Sequence, residues 1–448
     1  MPPITESDQR GAQREVPSPP GGRAFRGTRW GIISVVFAGT AVNYLDRANL
    51  SIALPYMSDD LHLSGTVSGL LLGAFSLTYA LMQFPAGWLV DKLGPRRLYG
   101  YALIAWSVTT MLVGAATGLL VLVLLRMLLG VAESPAYPSS AKVVSRWFPL
   151  RERGIAASIF DSGARMGSAV SLPLVTGVIA WLGWRGAFVA AGLVGLLFGL
   201  FWLRFYRDPE DHPRLSAEEL ACIQSDTKTG TDAEDRDERE PLPWIALFRH
   251  RATWGMMAGF FCLSFVLYFF ITWFPSYLVN ERGFDLLKLG FFGMIPALCA
   301  MPAEWVGGLL QGRLIARGRS VNFARKVPLV SGLLLASVIV FAGSAPNAAT
   351  ALILLTVSYS ALTFAASSLW AMPSDIAPTP GNVASLAGVQ GFGSNFAGFL
   401  SPIVVGALLD AGNGSFAVPL TVAGAVSIAG ALVYGLVIGR IEPLGSAR

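Results

Sequence analysis

Six ionisable side chains interrupt apolar sequence in places where ions are costly. Asp46 and Arg47 stand in NYLDRANLSIALP, Arg126 and Glu133 in LLRMLLGVAESPAYPSS, and Asp161 and Arg165 in DSGARMG. On insertion scales each such charge costs ~2.5–3.5 kcal/mol at the centre of a membrane helix, so each must be paired, face water, or both. Arg126 and Glu133 are seven residues apart, which places them on one helical face two turns apart. Asp46 and Arg47 are neighbours pointing about 100° apart. Asp161 and Arg165 have the i, i+4 spacing of a same-face pair. Arginine keeps its charge and offers a planar fork that matches a carboxylate, which makes Arg47 and Arg126 candidate anion binders. Asp46 and Glu133 can titrate, and a carboxyl group whose solvent exposure and arginine contact alternate can load and release a proton. A buried ion pair that only fixes helix packing is the competing explanation. For the first four residues the functional reading is preferred, because small residues pack membrane helices at lower cost than arginine; for Asp161 and Arg165 both readings stay open.

The elements that must position these groups are membrane helices. Of 448 residues, 53% are hydrophobic and only 14% charged, against about 25% charged in an ordinary soluble domain. Apolar stretches near the ~20 residues needed to cross the hydrocarbon recur from Trp30 to Arg440. They predict spans near 30–52, 67–90, 97–116, 118–142, 154–180, 185–205, 252–279, 288–312, 327–345, 348–373, 382–410 and 416–439. Backbone groups in lipid must bond within their own segment and no alternating barrel pattern is present, so each span is helical. The expected class is an all-α polytopic membrane protein of about twelve helices.

Basic residues cluster in the tail (Arg10, Arg14, Arg23, Arg26, Arg29) and in alternate loops (Lys92, Arg96, Arg97; Arg146, Arg151, Arg153; Arg313, Arg317, Arg319, Arg325, Lys326). Both termini are therefore expected in the cytoplasm. The net charge of +5 follows from this topology and gives no reason to expect a nucleic-acid partner. Residues 1–29 read as a disordered tail, 30–206 as one six-helix bundle, 207–243 as a cytoplasmic linker, 244–440 as a second bundle and 441–448 as a short tail. The halves echo each other weakly, with GWLVDKL (87–93) after the second span and GLLQGRL (308–314) after the eighth. Two related bundles with a site between them is the layout of secondary transporters. Cys222, Cys262 and Cys299 form no disulfide or metal pattern, and His62, His212 and His250 all lie outside the spans.

GWLVDKLGPRR (87–97) resembles the loop motif of the major facilitator superfamily. NYLDRANLSIALP (43–55), LLRMLLGVAESPAYPSS (124–140), TWFPSYLVNERGF (272–284) and RLIARGRSVNFARK (313–326) resemble its anion:cation symporter branch, in particular the bacterial galactonate, glucarate and hexuronate carriers. The resemblance implies the major facilitator fold, two six-helix bundles rocking around a central anion site, with uptake driven by proton entry. It implies that the carboxylates at Asp46 and Glu133 are proton sites, that Arg47 holds the substrate carboxylate with Arg126 as its partner, and that Tyr79 and Asn395 bind hydroxyls. Ser367, Ser368 and Trp370 fall on spans that would line the same cavity; Tyr or Trp at such depth commonly packs or anchors instead. Where those carriers have a glutamine in the fifth helix this chain has Ala164, followed by Arg165. That departure opens the alternative of an aromatic or dicarboxylic acid, with Asp161 and Arg165 as substrate contacts.

No GxxxxGK[ST] loop is present, which excludes an ATP-driven pump of that type. A membrane-embedded enzyme would not require a two-bundle repeat, and a sensor derived from a carrier is the remaining competitor. The expectation is a proton-coupled importer of a small organic anion, a monomer in the cell inner membrane, with no cofactor beyond the proton gradient; export is the alternative direction.

Overall fold

The computed structural model describes residues 27–228, 244–369, 371–379 and 382–444, and every regular element among them is helical. Helix α1 runs from Thr28–Leu61, beyond both ends of the expected span. Gly65–Ala115 is one helical run of 51 residues and Leu150–Phe205 another of 56. Straight, either would reach about 75–85 Å, more than twice the ~30 Å of hydrocarbon. Each is turned back by a glycine in a conformation that L side chains avoid: Gly94 at φ 76° separates α2 from α3, and Gly183 at φ 70° separates α5 from α6. Between them α4 occupies Leu119–Trp147. It is expected to be continuous and is not, because Pro135 has no N–H to continue the ladder, so Leu119–Glu133 ends there and Ala136–Trp147 begins.

The second half repeats the plan with α7 (Arg251–Thr272, extended by a π turn over Tyr277–Glu281), α8 (Leu286–Ala316), α9 (Val321–Ala342), α10 (Ala348–Ala366), α11 (Val383–Ala411) and α12 (Ala417–Val437). Ten described stretches are long and apolar enough to cross a membrane. One of them, Ile155–Phe205, makes two passes across the Gly183 bend, and α1, made less apolar by its site residues, adds another. The expected twelve passes are thereby reached.

The expected linker is partly regular. Ala217–Lys228 forms a helix that buries Ile223 in the hydrophobic core of the first half. It is held by Glu219, whose carboxylate accepts from the Thr28 and Arg29 amides at 3.0 and 3.1 Å and pairs with the Arg29 guanidinium. A carboxylate at the first turn of α1 satisfies donors that a helix start leaves open. Residues 229–243 and the tails 1–26 and 445–448 lie outside the described residues.

The motif residues tie loops to helix ends. Arg96 donates to the Leu203 carbonyl at 3.0 Å, and Lys142 reaches Asp91 at 2.7 Å. Arg282 donates to the Ala342 and Ala345 carbonyls at the end of α9 and to the Tyr277 hydroxyl at 2.6 Å. Those carbonyls have no partner within a helix.

The two halves meet most closely at one end. Gly65, Gly69 and Gly73 form an i, i+4 stripe on α2 against the backbone of α11: a Cβ on Gly65 would lie 2.6 Å from the Gly406 carbonyl oxygen, and one on Gly73 2.5 Å from that of Phe399. Among the described residues nothing lies within 4 Å of a Cβ on Gly87 or Gly391, at the other ends of the same helices. Asp410 completes the seal, accepting from the Gly65 amide at 2.7 Å, the Thr66 amide at 2.8 Å and the Thr66 hydroxyl at 2.6 Å. A carboxylate from one half thus caps the first turn of α2 in the other. On the second seam Gly290 of α8 packs against Pro173 and Thr176 of α5. The sealed end is opposite the one that carries the arginine-rich loops.

Candidate functional site

Helix α1 brings Asp46 and Arg47 into the first bundle, and α4 brings Arg126 and Glu133 to meet them. The Arg47 Nε donates to Glu133 Oε2 at 2.8 Å, with the Glu133 side chain fully buried. Shared-face spacing suggested Arg126 as the neighbour of Glu133, yet the ion pair found here crosses from α1 to α4. Three rings surround the Arg47 guanidinium, those of Tyr44, Phe75 and Tyr79, with centroids 5.1, 4.8 and 4.5 Å away. Phe75 and Tyr79 are one turn apart on α2 and stack on each other at 5.4 Å. Arg126 lies over the same Phe75 ring at 5.2 Å, and its Nε donates to the Leu71 carbonyl at 3.3 Å. Both arginines thus use aromatic faces, which attract weakly hydrated guanidinium groups.

Asp46 accepts from the Thr110 hydroxyl of α3 at 2.7 Å. Its other oxygen, Glu133 Oε1 and Arg47 Nη2 are buried with no hydrogen-bond partner among the described residues. Orphaned atoms of this kind are costly and call for an explanation. Here two arginines and two carboxylates, neutral as a set when all are ionised, hold unused donor and acceptor capacity around one point.

A second cluster lies where the halves face each other. Arg165 Nη1 pairs with Asp161 Oδ2 at 3.1 Å within α5, as the i, i+4 spacing predicts. The Tyr137 hydroxyl of α4 donates to Asp161 Oδ1 at 2.5 Å. Arg165 Nη2 also pairs with Glu304 of α8. Glu304 was missed by sequence reasoning, although a carboxylate in MPAEWVGG, inside an apolar run, carries the same signal as the other six charges. Side chains of Asp161 and Arg165 remain about a third exposed, at 31% and 29%. A tyrosine thus stands at each cluster, Tyr44 with its ring against Arg47 and Tyr137 bonded to Asp161.

Other sequence candidates separate. Tyr79 joins the Arg47 cage. Ser367 is not brought to either cluster; its hydroxyl donates to the Phe364 carbonyl at 2.7 Å and accepts from Gln311 Nε2 at 2.8 Å. Gln311 in turn accepts from Arg325, which pairs with Asp375 at 2.8 Å, a network between α8, α9 and the end of α10. Ser367 turns toward that network because Gly307 leaves room for its hydroxyl against α8. Ser368 is buried with no partner for its hydroxyl among the described residues. Asn395 is half-buried and donates to the Gly391 carbonyl of its own helix at 3.0 Å. Trp370 lies outside the described residues.

A model of the Major Facilitator Superfamily matches residues 36–402. The chain is 36% identical over 431 residues to the probable galactarate/D-glucarate transporter GarP of Escherichia coli strain K12, covering 93% of this chain and 96% of that one. It is 34% identical over 426 residues to a D-galactonate transporter of Escherichia coli O6:H1, covering 93% and 97%, and 35% identical over 414 residues to the probable sulfoacetate transporter SauU of Cupriavidus necator, covering 90% and 93%. Among solved structures, a bacterial homologue of the human lysosomal transporter Spinster, inward-facing and unoccupied, superposes with a TM-score of 0.74 at 17% identity, over 93% of this chain and 98% of that one, a likeness of fold. Twelve helical passes in two bundles, a charged interior and these relatives together place the chain in the Major Facilitator Superfamily, as a multi-pass membrane transporter and not an enzyme.

Proposed function

We propose that this protein imports a small organic anion, a sugar acid of the galactonate, glucarate or hexuronate kind, together with protons. The observation that carries this reading is Arg47: a guanidinium caged by three rings, bonded to a fully buried Glu133, with one buried nitrogen still unpartnered. A substrate carboxylate on the Arg47 fork would complete it, while Glu133 takes a proton and releases its claim on the same group. Arg126 adds fixed positive charge, Asp46 is the second proton site, and Tyr79, with Asn395 farther off, supplies hydroxyl contacts. The names of the sugar-acid relatives support the substrate class. Cofactors have no part in this scheme; the proton gradient is the energy source, and the monomer suffices.

Transport by alternating access fits a molecule sealed at one end only. The arginine-rich loops lie at the open end, which the positive-inside rule assigns to the cytoplasm along with both termini, giving an inward-facing carrier in the inner membrane. Asp410 then acts as an outer latch. Losing a helix cap of this type costs about 0.5–2 kcal/mol, enough to shift a two-state balance several-fold. Asp410→Ala is expected to raise the population open at that end, read as longer distances between spin labels on the 62–64 and 412–414 loops. An unchanged distance distribution would remove Asp410 from this role.

The direct test of the anion reading compares a sugar acid with its own amide on the purified protein. The acid is expected to raise the melting temperature, since a ligand that binds only the folded state at 100 times its Kd adds ~2.7 kcal/mol of apparent stability. The amide is expected to do nothing. Equal shifts from the two would end the claim that carboxylate recognition defines the site.

A further inference from the structure

Arg165 is shared by two carboxylates. Asp161 holds it from its own helix and Glu304 from the opposite half, so this cluster has one negative charge in excess when all three groups are ionised. Near Arg47 the four charges cancel. The two environments are joined along α4, where Glu133 holds Arg47 at 2.8 Å and Tyr137, four residues on, donates to Asp161 at 2.5 Å. A ligand seated with its carboxylate on Arg47 therefore extends toward an acidic wall, and Arg165 has no uncompensated positive charge to offer its far end.

The chemistry of that far end then matters. A hydroxyl donates to a carboxylate in a charge-assisted hydrogen bond, one of the stronger contacts available. A second carboxylate meets repulsion from the excess negative charge of Asp161 and Glu304. Charge balance in the closed state points the same way. With Asp46 and Glu133 protonated, Arg47 and Arg126 outweigh the acidic excess of the second cluster by one, so a monoanion brings the buried set to neutrality. A dianion leaves it negative, which a closed membrane site disfavours.

We infer that Glu304, together with Asp161, is a specificity-determining residue that makes this carrier select polyhydroxy monocarboxylates over dicarboxylates of the same length. The inference rests on the assignment of Arg47 as carboxylate binder. It narrows the proposed sugar acids to the monoacids and so separates this chain from the relatives named for galactarate and D-glucarate, both diacids.

The test is calorimetric titration of the full-length protein with galactonate and galactarate, then with gluconate and glucarate; within each pair the molecules differ only at the terminal carbon. Wild type is expected to bind the monoacid at least about tenfold more tightly. Glu304→Gln is expected to cut that ratio at least about fivefold by gaining affinity for the diacid, and Glu304→Asp, which keeps the charge, to preserve it. Folding is checked by elution profile and melting temperature; should Glu304→Gln not fold, Asp161→Asn removes the other negative charge and is expected to lower the same ratio. Wild type binding the diacid equally or more tightly overturns the inference outright, as does a ratio unmoved in a folded variant. Failure of both pairs to bind at millimolar concentration, or binding indifferent to Arg47→Lys, overturns the anion reading itself; equal binding of acid and diacid, both lost in Arg47→Lys, overturns only the role of Glu304.

Discussion

Glu133→Gln is expected to abolish accumulation driven by a pH gradient while leaving exchange of substrate across the membrane intact. Glutamine has the shape of the protonated acid, and its carbonyl can still accept from Arg47 Nε, the bond that Glu133 makes at 2.8 Å. Substrate therefore binds, and loaded carriers reorient in both directions. What is lost is the return of the empty carrier, because a neutral side chain cannot compensate Arg47 once the substrate has gone. The size of the effect follows from linkage. A difference of one pH unit is worth about 1.36 kcal/mol per proton, or about tenfold in accumulation, so two coupled protons give about a hundredfold. Uptake by wild type is expected to rise as external pH falls, since protons load from that side. If both carboxylates load with a monoanion, one net positive charge enters, and an inside-negative potential adds ~2.3 kcal/mol per 100 mV. Radiolabelled uptake into proteoliposomes under an imposed pH gradient, an imposed potential, or neither checks all of this for wild type, Asp46→Asn and Glu133→Gln. Undiminished gradient-driven accumulation by Glu133→Gln would return its ion pair with Arg47 to a packing role.

Spans were legible because hydropathy is a property of consecutive residues. The bends at Gly94 and Gly183 were legible for the same reason: each falls in a short break between apolar runs, and each adopts a positive φ that glycine permits. Pro135 was visible too, yet its break in α4 was not expected, since proline can also kink a membrane helix without ending it. The helix Ala217–Lys228 left little trace in the apolar pattern because distant contacts hold it, Glu219 to the start of α1 and Ile223 in the core of the first half.

The site divides along the same line. Asp46, Arg47, Arg126, Glu133, Asp161 and Arg165 were each recognisable as charges in apolar sequence, and the Asp161–Arg165 pair follows from helical spacing. Pairings between helices do not. Nothing in the spacing of Arg126 and Glu133 says that Arg47, 86 residues away, takes the carboxylate. Glu304 was readable as a misplaced charge, but its partner sits in the other half of the molecule, and only the fold brings the two together. The same holds for Ser367, whose hydroxyl was free to point at a cavity until α8 and Gln311 claimed it.

Arg47→Lys is expected to weaken acid binding by roughly tenfold to a hundredfold, the ~1.5–3 kcal/mol of a hydrogen bond to a charged group. Lysine keeps the charge, so a smaller loss would be expected if Arg47 acted only through its field. Geometry argues otherwise. The guanidinium presents Nε to Glu133 and holds Nη2 buried and unpartnered among Tyr44, Phe75 and Tyr79. A compact ammonium can keep the Glu133 contact or reach toward a substrate, but it cannot form a bidentate fork or lie flat between rings. Arg47→Ala is a poorer test, because it leaves Glu133 buried without a partner, and breaking a buried pair in that way costs about 3–5 kcal/mol of stability. Arg126→Lys provides the contrast: Arg126 spends its Nε on the Leu71 carbonyl, and its charge matters more than its shape. The affinity loss is expected to be several-fold smaller there than at Arg47. Titration calorimetry of the acid on wild type and the two lysine variants measures the difference, and equal losses at Arg47 and Arg126 would show that the site senses charge alone.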